Sequence, residues 1–337
     1  MRQIWIPRTG DPSVLELREA PTPEPGPGEL RVAVEAAGVN FADLLARMGL
    51  YPDAPSLPAV VGYEVAGIVV AVGEGVSEAR IGEPVVCMTR FGGYSTQVVV
   101  PAANAVRRPP GLNAVDAAAI AVNGITAWMM LEEMGRIREG DRVLVHSAGG
   151  GVGLAALDLI LRRGAIPVGT ASGHKHAFLK ERGYHQLVDY TKEDFVEALA
   201  DGPGFDLVLD PVGGASWAKS LALLRPGGRV CLFGFSAQAP GAVAGLVSRL
   251  REVAQIPWLK LGPLSLINAN KGVLGVNLGY MWDEGERVGG WLSELLALWE
   301  KGELRPYVHA TVPFDNAAEA HRILHDRENL GKVVLVP

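Results

Sequence analysis

Cysteine is almost missing from this chain. Cys87 and Cys231 are the only two in 337 residues, which excludes a disulfide framework and a four-cysteine zinc site and fits a reducing, cytosolic compartment. A basic excess is also lacking, since 31 Lys and Arg face 37 Asp and Glu for a net charge of −6. Nucleic-acid binders usually carry the opposite balance. Long apolar runs are absent too. Met1–Thr9 has no signal-peptide core. The two most apolar stretches, Pro58–Gly73 and Ala117–Leu131, fall short of the roughly 18 to 20 residues that cross a bilayer, and they contain Glu64 and Asn123. No membrane span is expected, and the chain reads as soluble. What is present, 48% hydrophobic and 20% charged residues, is enough to bury a large core and excludes disorder. The length suggests two domains.

The residue pattern changes along the chain. Up to about Val122, short alternating runs such as Leu30–Glu35 and the apolar run Ala66–Val72 are separated by turns rich in proline and glycine. That pattern predicts a compact, barrel-like β domain. From about Gly140 strands and helices alternate. Strands are expected at 142–146, 165–170, 186–190, 205–210 and 229–234, and helices at 152–163, 175–182, 194–200 and 215–224. This alternation predicts a doubly wound parallel α/β sheet of the Rossmann kind. After about Lys301 the pattern of the N-terminal part returns, with a helix at 316–325 and a strand at 332–336 that could pair back into the first domain. The expected division is 1–122 with 301–337, and 123–300.

The strongest local signal is Ser147-Ala148-Gly149-Gly150-Gly151-Val152-Gly153, set between a strand and a helix. It is A-x-G-x-x-G, with Ala148 in place of the first glycine of the dinucleotide fingerprint. Glycines let backbone approach a pyrophosphate, and the helix start offers unpaired N–H groups. An NAD site expects a carboxylate about 20 residues on, at the end of the second strand. Here Gly169-Thr170-Ala171-Ser172-Gly173-His174-Lys175 offers hydroxyls and an ammonium, and the first acid is Glu181. NADPH is favoured, because Lys175 can neutralise a 2′-phosphate that a carboxylate would repel; the plain alternative for Lys175 is a solvated helix face. A second glycine-bearing segment, Gly213–Ser220, imitates a phosphate loop but has Ala218 where that loop needs glycine, so an ordinary helix with Lys219 exposed is expected there.

The chain resembles the zinc-independent medium-chain dehydrogenase/reductases, in particular the NADPH:quinone oxidoreductases. The resemblance rests on Pro25–Leu30, Gly38–Asp43, Gly49–Pro52, Gly62–Gly67, Ile125–Ala127 and the glycine loop. Within that group it is similar to the branch containing the vesicle amine transport protein, through Leu144–Gly153, Gly169–Ser172, Ala269–Asn270, Leu278–Tyr280 and Gly331–Pro337. The resemblance implies a GroES-like catalytic domain beside the Rossmann domain, NADPH as cofactor, a quinone or enone-like acceptor, and a homodimer paired through a strand near Gly272–Val276. Zinc-dependent relatives place cysteine where this chain has Asn40 and histidine where it has Tyr63, and an amide and a phenol are poor zinc ligands. No metal is therefore expected.

Carried over residue by residue, the resemblance puts Asn40 and Tyr51 beside the acceptor as neutral donors, with Asp43 organising the pocket. The plainer alternatives are that Asn40 caps a turn and that Tyr51 is a packed aromatic. For the cofactor it implies Thr126 beside the nicotinamide and Gly150, Gly151 and Val152 at the pyrophosphate. Ser172, Lys175, Tyr190 and Arg327 match the 2′-phosphate and adenine end, and Phe233, Gly234 and Phe235 end the fifth strand, where backbone usually faces the nicotinamide ribose. Leu45 stands where some quinone reductases carry a second tyrosine, so one donor is missing. An enoyl-thioester reductase and a non-catalytic NADPH-binding scaffold are the alternative functions.

Overall fold

The computed structural model describes residues 1–236, 259 and 261–337. They form two compact units, Met1–Ile125 with Leu278–Pro337, and Thr126–Asn277. The chain returns to the first unit at Leu278, not near residue 301 as the residue pattern suggested. The reason is the helix Gly285–Glu300. It buries Val288, Trp291, Leu292, Leu295 and Leu296 and lies against the turn Ala102–Asn104 and the strand Ala105–Arg107 of the first unit. Helical spacing shows that an apolar face exists, but not which sheet it covers.

The first unit is organised by the strand Glu29–Val39, which pairs antiparallel with Glu64–Val72, Gln97–Pro101 and the C-terminal Lys332–Val336. Leu30, Val32 and Val34 point into the core while Arg31, Ala33 and Glu35 do not, as the period of two requires. Register shifts at Arg31/Val32 and Val34/Ala36 bend the strand. Pro84–Met88, Ala105–Arg107 and Val308–Pro313 complete a seven-stranded sheet. Its core includes Leu30, Val32, Val65, Val85, Phe314 and Leu335. The C-terminal strand does pair back, with Val333 opposite Val39.

The second unit holds a six-stranded sheet in the order Gln186–Asp189, Ile166–Ala171, Arg142–Val145, Phe205–Asp210, Leu224–Leu232, Gly272–Gly275. All of its pairings are parallel. This is the doubly wound order 3-2-1-4-5-6, and the strand order reverses between Arg142–Val145 and Phe205–Asp210, where such sheets bind ligands. The crossovers are the helices Gly151–Arg162, His176–Arg182, Phe195–Leu199 and Ala215–Ala222, close to their expected positions. The fifth strand ends at Leu232, so Phe233, Gly234 and Phe235 lie beyond its carboxyl end. One continuous helical segment, Ala114–Met134, is longer than the sequence suggested. Its 21 residues are apolar enough to cross a membrane by length and composition, but 67% of its most apolar window is buried, as in a core helix.

Candidate active site

In the first unit, helix Phe41–Met48 begins where the strand Glu29–Val39 ends, and Asn40 is the residue between them. Its side chain belongs to the capping box of that helix and also reaches away from it. Asn40 Oδ1 accepts a hydrogen bond from Lys332 Nζ at 2.6 Å, and Asn40 Nδ2 donates to Glu64 Oε1 at 3.0 Å. Lys332 also forms an ion pair with Glu64, and the backbone N–H of Val122 donates to Glu64 Oε2 at 2.5 Å. Asn40, Glu64 and Lys332 are all buried. Capping was one of the two roles open to Asn40 in the sequence, and Asn40 is the N-cap of this helix, in a capping box with Asp43, whose Oδ2 accepts the Asn40 N–H at 2.8 Å.

Asp43 is fully buried and gathers two more donors, the Gly62 N–H at 3.1 Å and the Tyr94 hydroxyl at 3.0 Å. The chain continues from Tyr94 to His321 Nε2 at 3.2 Å, and His321 Nδ1 faces Arg47 Nη1 at 3.5 Å. A guanidinium can only donate, so Nδ1 accepts, Nε2 carries the proton, and each hydroxyl or N–H points toward Asp43. Burial pushes the Asp43 carboxyl up to about 7, against the opposing pull of its Asn40 and Tyr94 hydrogen bonds. Burial likewise holds His321 well below its ordinary range, which keeps it neutral.

Tyr51 belongs to an aromatic group with Tyr63, Phe91 and Trp282. The Tyr51 and Tyr63 rings meet edge to face at 6.2 Å, Phe91 lies 5.1 Å from Tyr63, and Trp282 runs nearly parallel to Tyr63 at 6.3 Å. Tyr51 is half-buried, and burial raises its phenol above the usual range, so it stays protonated and able to donate. The Tyr63 hydroxyl is buried without a hydrogen bond of acceptable geometry, although it lies near enough to Tyr51 for each phenol to influence the other's ionisation. The structure thus brings Asn40 and Asp43 together directly and places Tyr51 in this neighbouring ring cluster.

The second unit carries the glycine loop. Gly150 precedes helix Gly151–Arg162, whose first regular hydrogen bond runs from Leu154 N–H to the Gly150 carbonyl at 2.9 Å. The N–H groups of Gly151, Val152 and Gly153 therefore belong to the open first turn that anions favour. A Cβ on Gly153 would stand 2.5 Å from the Ala148 carbonyl oxygen, so only glycine allows the helix to start this close. The departure at Ala148 is absorbed by Gly169 on the neighbouring strand, where a Cβ would meet that of Ala148 at 2.8 Å. The loop fits the dinucleotide role despite its altered first residue.

At the end of the second strand, Ser172 Oγ donates to the Tyr190 hydroxyl at 3.1 Å, which brings two of the expected adenine-end residues together. Lys175 lies in the same turn and is mostly buried. A carboxylate that the linear reading did not anticipate, Asp189, comes in from the third strand beside Gly173. It accepts from the Thr191 N–H and hydroxyl and pairs with Lys192 at 3.5 Å. Thr126 is buried in helix Ala114–Trp128. Phe235 is exposed and packs edge to face on Trp217 at 5.0 Å. Arg327 belongs to the first unit, in the positive-φ turn after helix Ala317–His325. In the segment that imitates a phosphate loop, Lys219 is engaged by Asp194 and the Phe195 ring.

Residues 26–110 match the alcohol dehydrogenase GroES-like domain, and residues 182–335 match the zinc-binding dehydrogenase domain. A rat synaptic vesicle membrane protein VAT-1 homolog is 41% identical over 96% of this chain and 80% of its own length. A Pseudomonas aeruginosa quinone oxidoreductase is 35% identical over all of this chain and 99% of its own. The Escherichia coli quinone oxidoreductase solved with NADPH superposes with a TM-score of 0.86, 31% identity and complete coverage of both chains.

The chain is a medium-chain dehydrogenase/reductase.

Within that family it stands with the quinone oxidoreductases, on the VAT-1 branch, and its two folds are a GroES-like domain and a Rossmann-type sheet. The chain has an amide and a phenol at positions 40 and 63. Among its described residues no group of three His, Cys, Asp or Glu side chains is arranged to hold a metal.

Linear reading missed several groups that shape the site: Glu64, Lys332, Tyr94, Arg47 and His321. Glu64 and Lys332 are present in the segments that carry the family resemblance, but nothing in either segment says that they meet. The spacing His321-x-x-x-His325 puts two histidines on one helix face, which was the one available signal for the Asp43 chain. In the second unit, His146 lies between Thr170 at 3.0 Å and Ser220 at 3.1 Å, and Ser220 donates to Asp210 at 2.7 Å. Through Ser220 of helix Ala215–Ala222, this network links the ends of three adjacent strands.

Proposed function

We propose that this reductase is an NADPH-dependent, zinc-independent enzyme that reduces quinones or enone-like α,β-unsaturated carbonyl compounds. The observation that carries the reading is the Ser147–Gly153 turn, which opens a helix at the reversal of a parallel sheet and has a form only glycine permits at position 153. Gly150, Gly151 and Val152 would hold the pyrophosphate, Ser172, Lys175, Tyr190 and Arg327 the 2′-phosphate and adenine end, and Thr126 with Phe233–Phe235 the nicotinamide half. When bound, a reduced nicotinamide supplies hydride.

The work left to the protein is to stabilise negative charge on the acceptor oxygen. The Asn40 side-chain amide and the Tyr51 hydroxyl are the neutral donors assigned to it, each worth about 3 kcal/mol when aimed at a developing oxyanion. Tyr51 suits the task because burial keeps it protonated. Asp43 fixes the start of the Asn40 helix and is not assigned a proton transfer. Leu45 offers no donor, which makes the pocket more apolar than that of reductases with a tyrosine there.

The deciding experiment offers NADPH and NADH side by side with 1,2-naphthoquinone, a simple enone and an enoyl-CoA. NADPH oxidation by the quinone or the enone is the expected result. Preference for the enoyl-CoA would reassign the protein as a thioester reductase, and tight NADPH binding with no turnover would favour a scaffold. Absence of both binding and turnover overturns the proposal. A cytosolic setting is supported by the two buried free thiols, Cys87 and Cys231. Dimer formation through the strand Gly272–Gly275 is supported by its place at the sheet edge, and light scattering should give twice the 35.7 kDa chain mass.

A further inference from the structure

We propose that Lys332 and Glu64 are positioning residues that lock the Asn40 side chain in the one orientation from which it can donate to an acceptor oxygen. The inference rests on the reading of Asn40 as that donor. An asparagine amide can rotate by half a turn, exchanging a donor for an acceptor at nearly the same volume. A lysine ammonium only donates and an ionised carboxylate only accepts. Lys332 Nζ lies 2.6 Å from one amide atom, which must therefore be Oδ1. Glu64 Oε1 lies 3.0 Å from the other, which must be Nδ2. Each charge selects the same rotamer, and the opposite one would set ammonium against NH2 and carboxylate against carbonyl. One N–H of Nδ2 is committed to Glu64, and the second is left to point elsewhere. With Lys332 drawing on Oδ1, that second N–H becomes a better donor.

The pair is built for this purpose more than for stability. Lys332 and Glu64 are 3% and 0% exposed, and replacing such a buried pair by neutral residues is often neutral or stabilising. The surroundings are nevertheless shaped to keep it. Gly38, in the strand between them, has no side chain; a Cβ there would stand 2.2 Å from Glu64 Oε1 and 2.7 Å from Lys332 Cε. Glu64 Oε2 is separately held by the Val122 N–H, so the carboxylate cannot swing away from Asn40.

The test uses Lys332→Met, the charge-balanced double variant Glu64→Gln/Lys332→Met, and Asn40→Leu. In the ¹⁵N–¹H spectrum of the protein without nucleotide, the Asn40 side-chain NH2 pair is assigned by its loss in Asn40→Leu. Wild type should show two widely separated proton shifts, and the double variant should show them collapsed toward those of a free amide. Turnover with 1,2-naphthoquinone should fall tenfold or more in the double variant, in kcat and not KM, with the NADPH Kd within twofold. In an Asn40→Leu background the same double change should cost less than twofold, because effects through one shared group are not additive. Unchanged amide shifts, or an equal loss in both backgrounds, would overturn the proposal. If wild type reduces no acceptor, the functional reading fails, and the amide shifts still decide this inference.

Discussion

The Tyr94 hydroxyl bridges the Asp43 carboxylate, 3.0 Å away, and the His321 ring, 3.2 Å away, so that the first and last helices of one unit share a buried hydrogen-bond chain. Burial raises Asp43 to about 7 from 3.8. Between those values the folded protein holds a proton that the unfolded chain has released. The stability contributed by protonated Asp43 is thus full below about pH 4 and is lost as pH rises through 7. Neutral His321 works in the opposite sense below its ordinary range and is common to both proteins compared. Urea unfolding at pH 5, 6, 7 and 8 should show wild type losing roughly 1 kcal/mol per pH unit relative to Asp43→Asn up to pH 7. A difference that stays flat across the four values would contradict this.

Gly38→Ala should destabilise the first unit by about 2–4 kcal/mol, because the new methyl collides with both halves of a buried ion pair and neither can leave without stranding the other. Chemical unfolding measures the loss. A change below about 0.5 kcal/mol would show that the strand can yield there.

Tyr63→Phe should stabilise the protein by about 1 kcal/mol, since it removes a buried hydroxyl that lacks a partner while the ring contacts with Phe91 and Trp282 remain. A lower thermal midpoint would mean that the hydroxyl is bonded in solution.

Lys175→Met should raise the Kd for NADPH about tenfold and that for NADH by less than twofold, the expected loss of one charge-assisted contact to a 2′-phosphate. Nucleotide fluorescence titration separates the two. Equal losses would assign Lys175 to the turn itself, whose carboxylate neighbour Asp189 is already engaged by Thr191 and Lys192.

Much of this was legible in the chain because it is local. Period-two alternation at Leu30–Glu35, strand-helix rhythm after Gly140 and the glycine spacing at 149–153 each follow from backbone geometry within a few residues. So does the place of Gly150, whereas the places of Asn40 and Asp43 are what the family resemblance implies. The sequence by itself therefore determined the two architectures and the nucleotide loop. Only the tertiary structure decided that helix Gly285–Glu300 belongs with the first unit and that Ala148 is tolerated because Gly169 faces it. It also decided that Asn40 is gripped by a lysine 292 residues away. These are pairings between elements far apart in the chain, where contact depends on sheet register and on which apolar face meets which, and no short stretch of sequence carries that information.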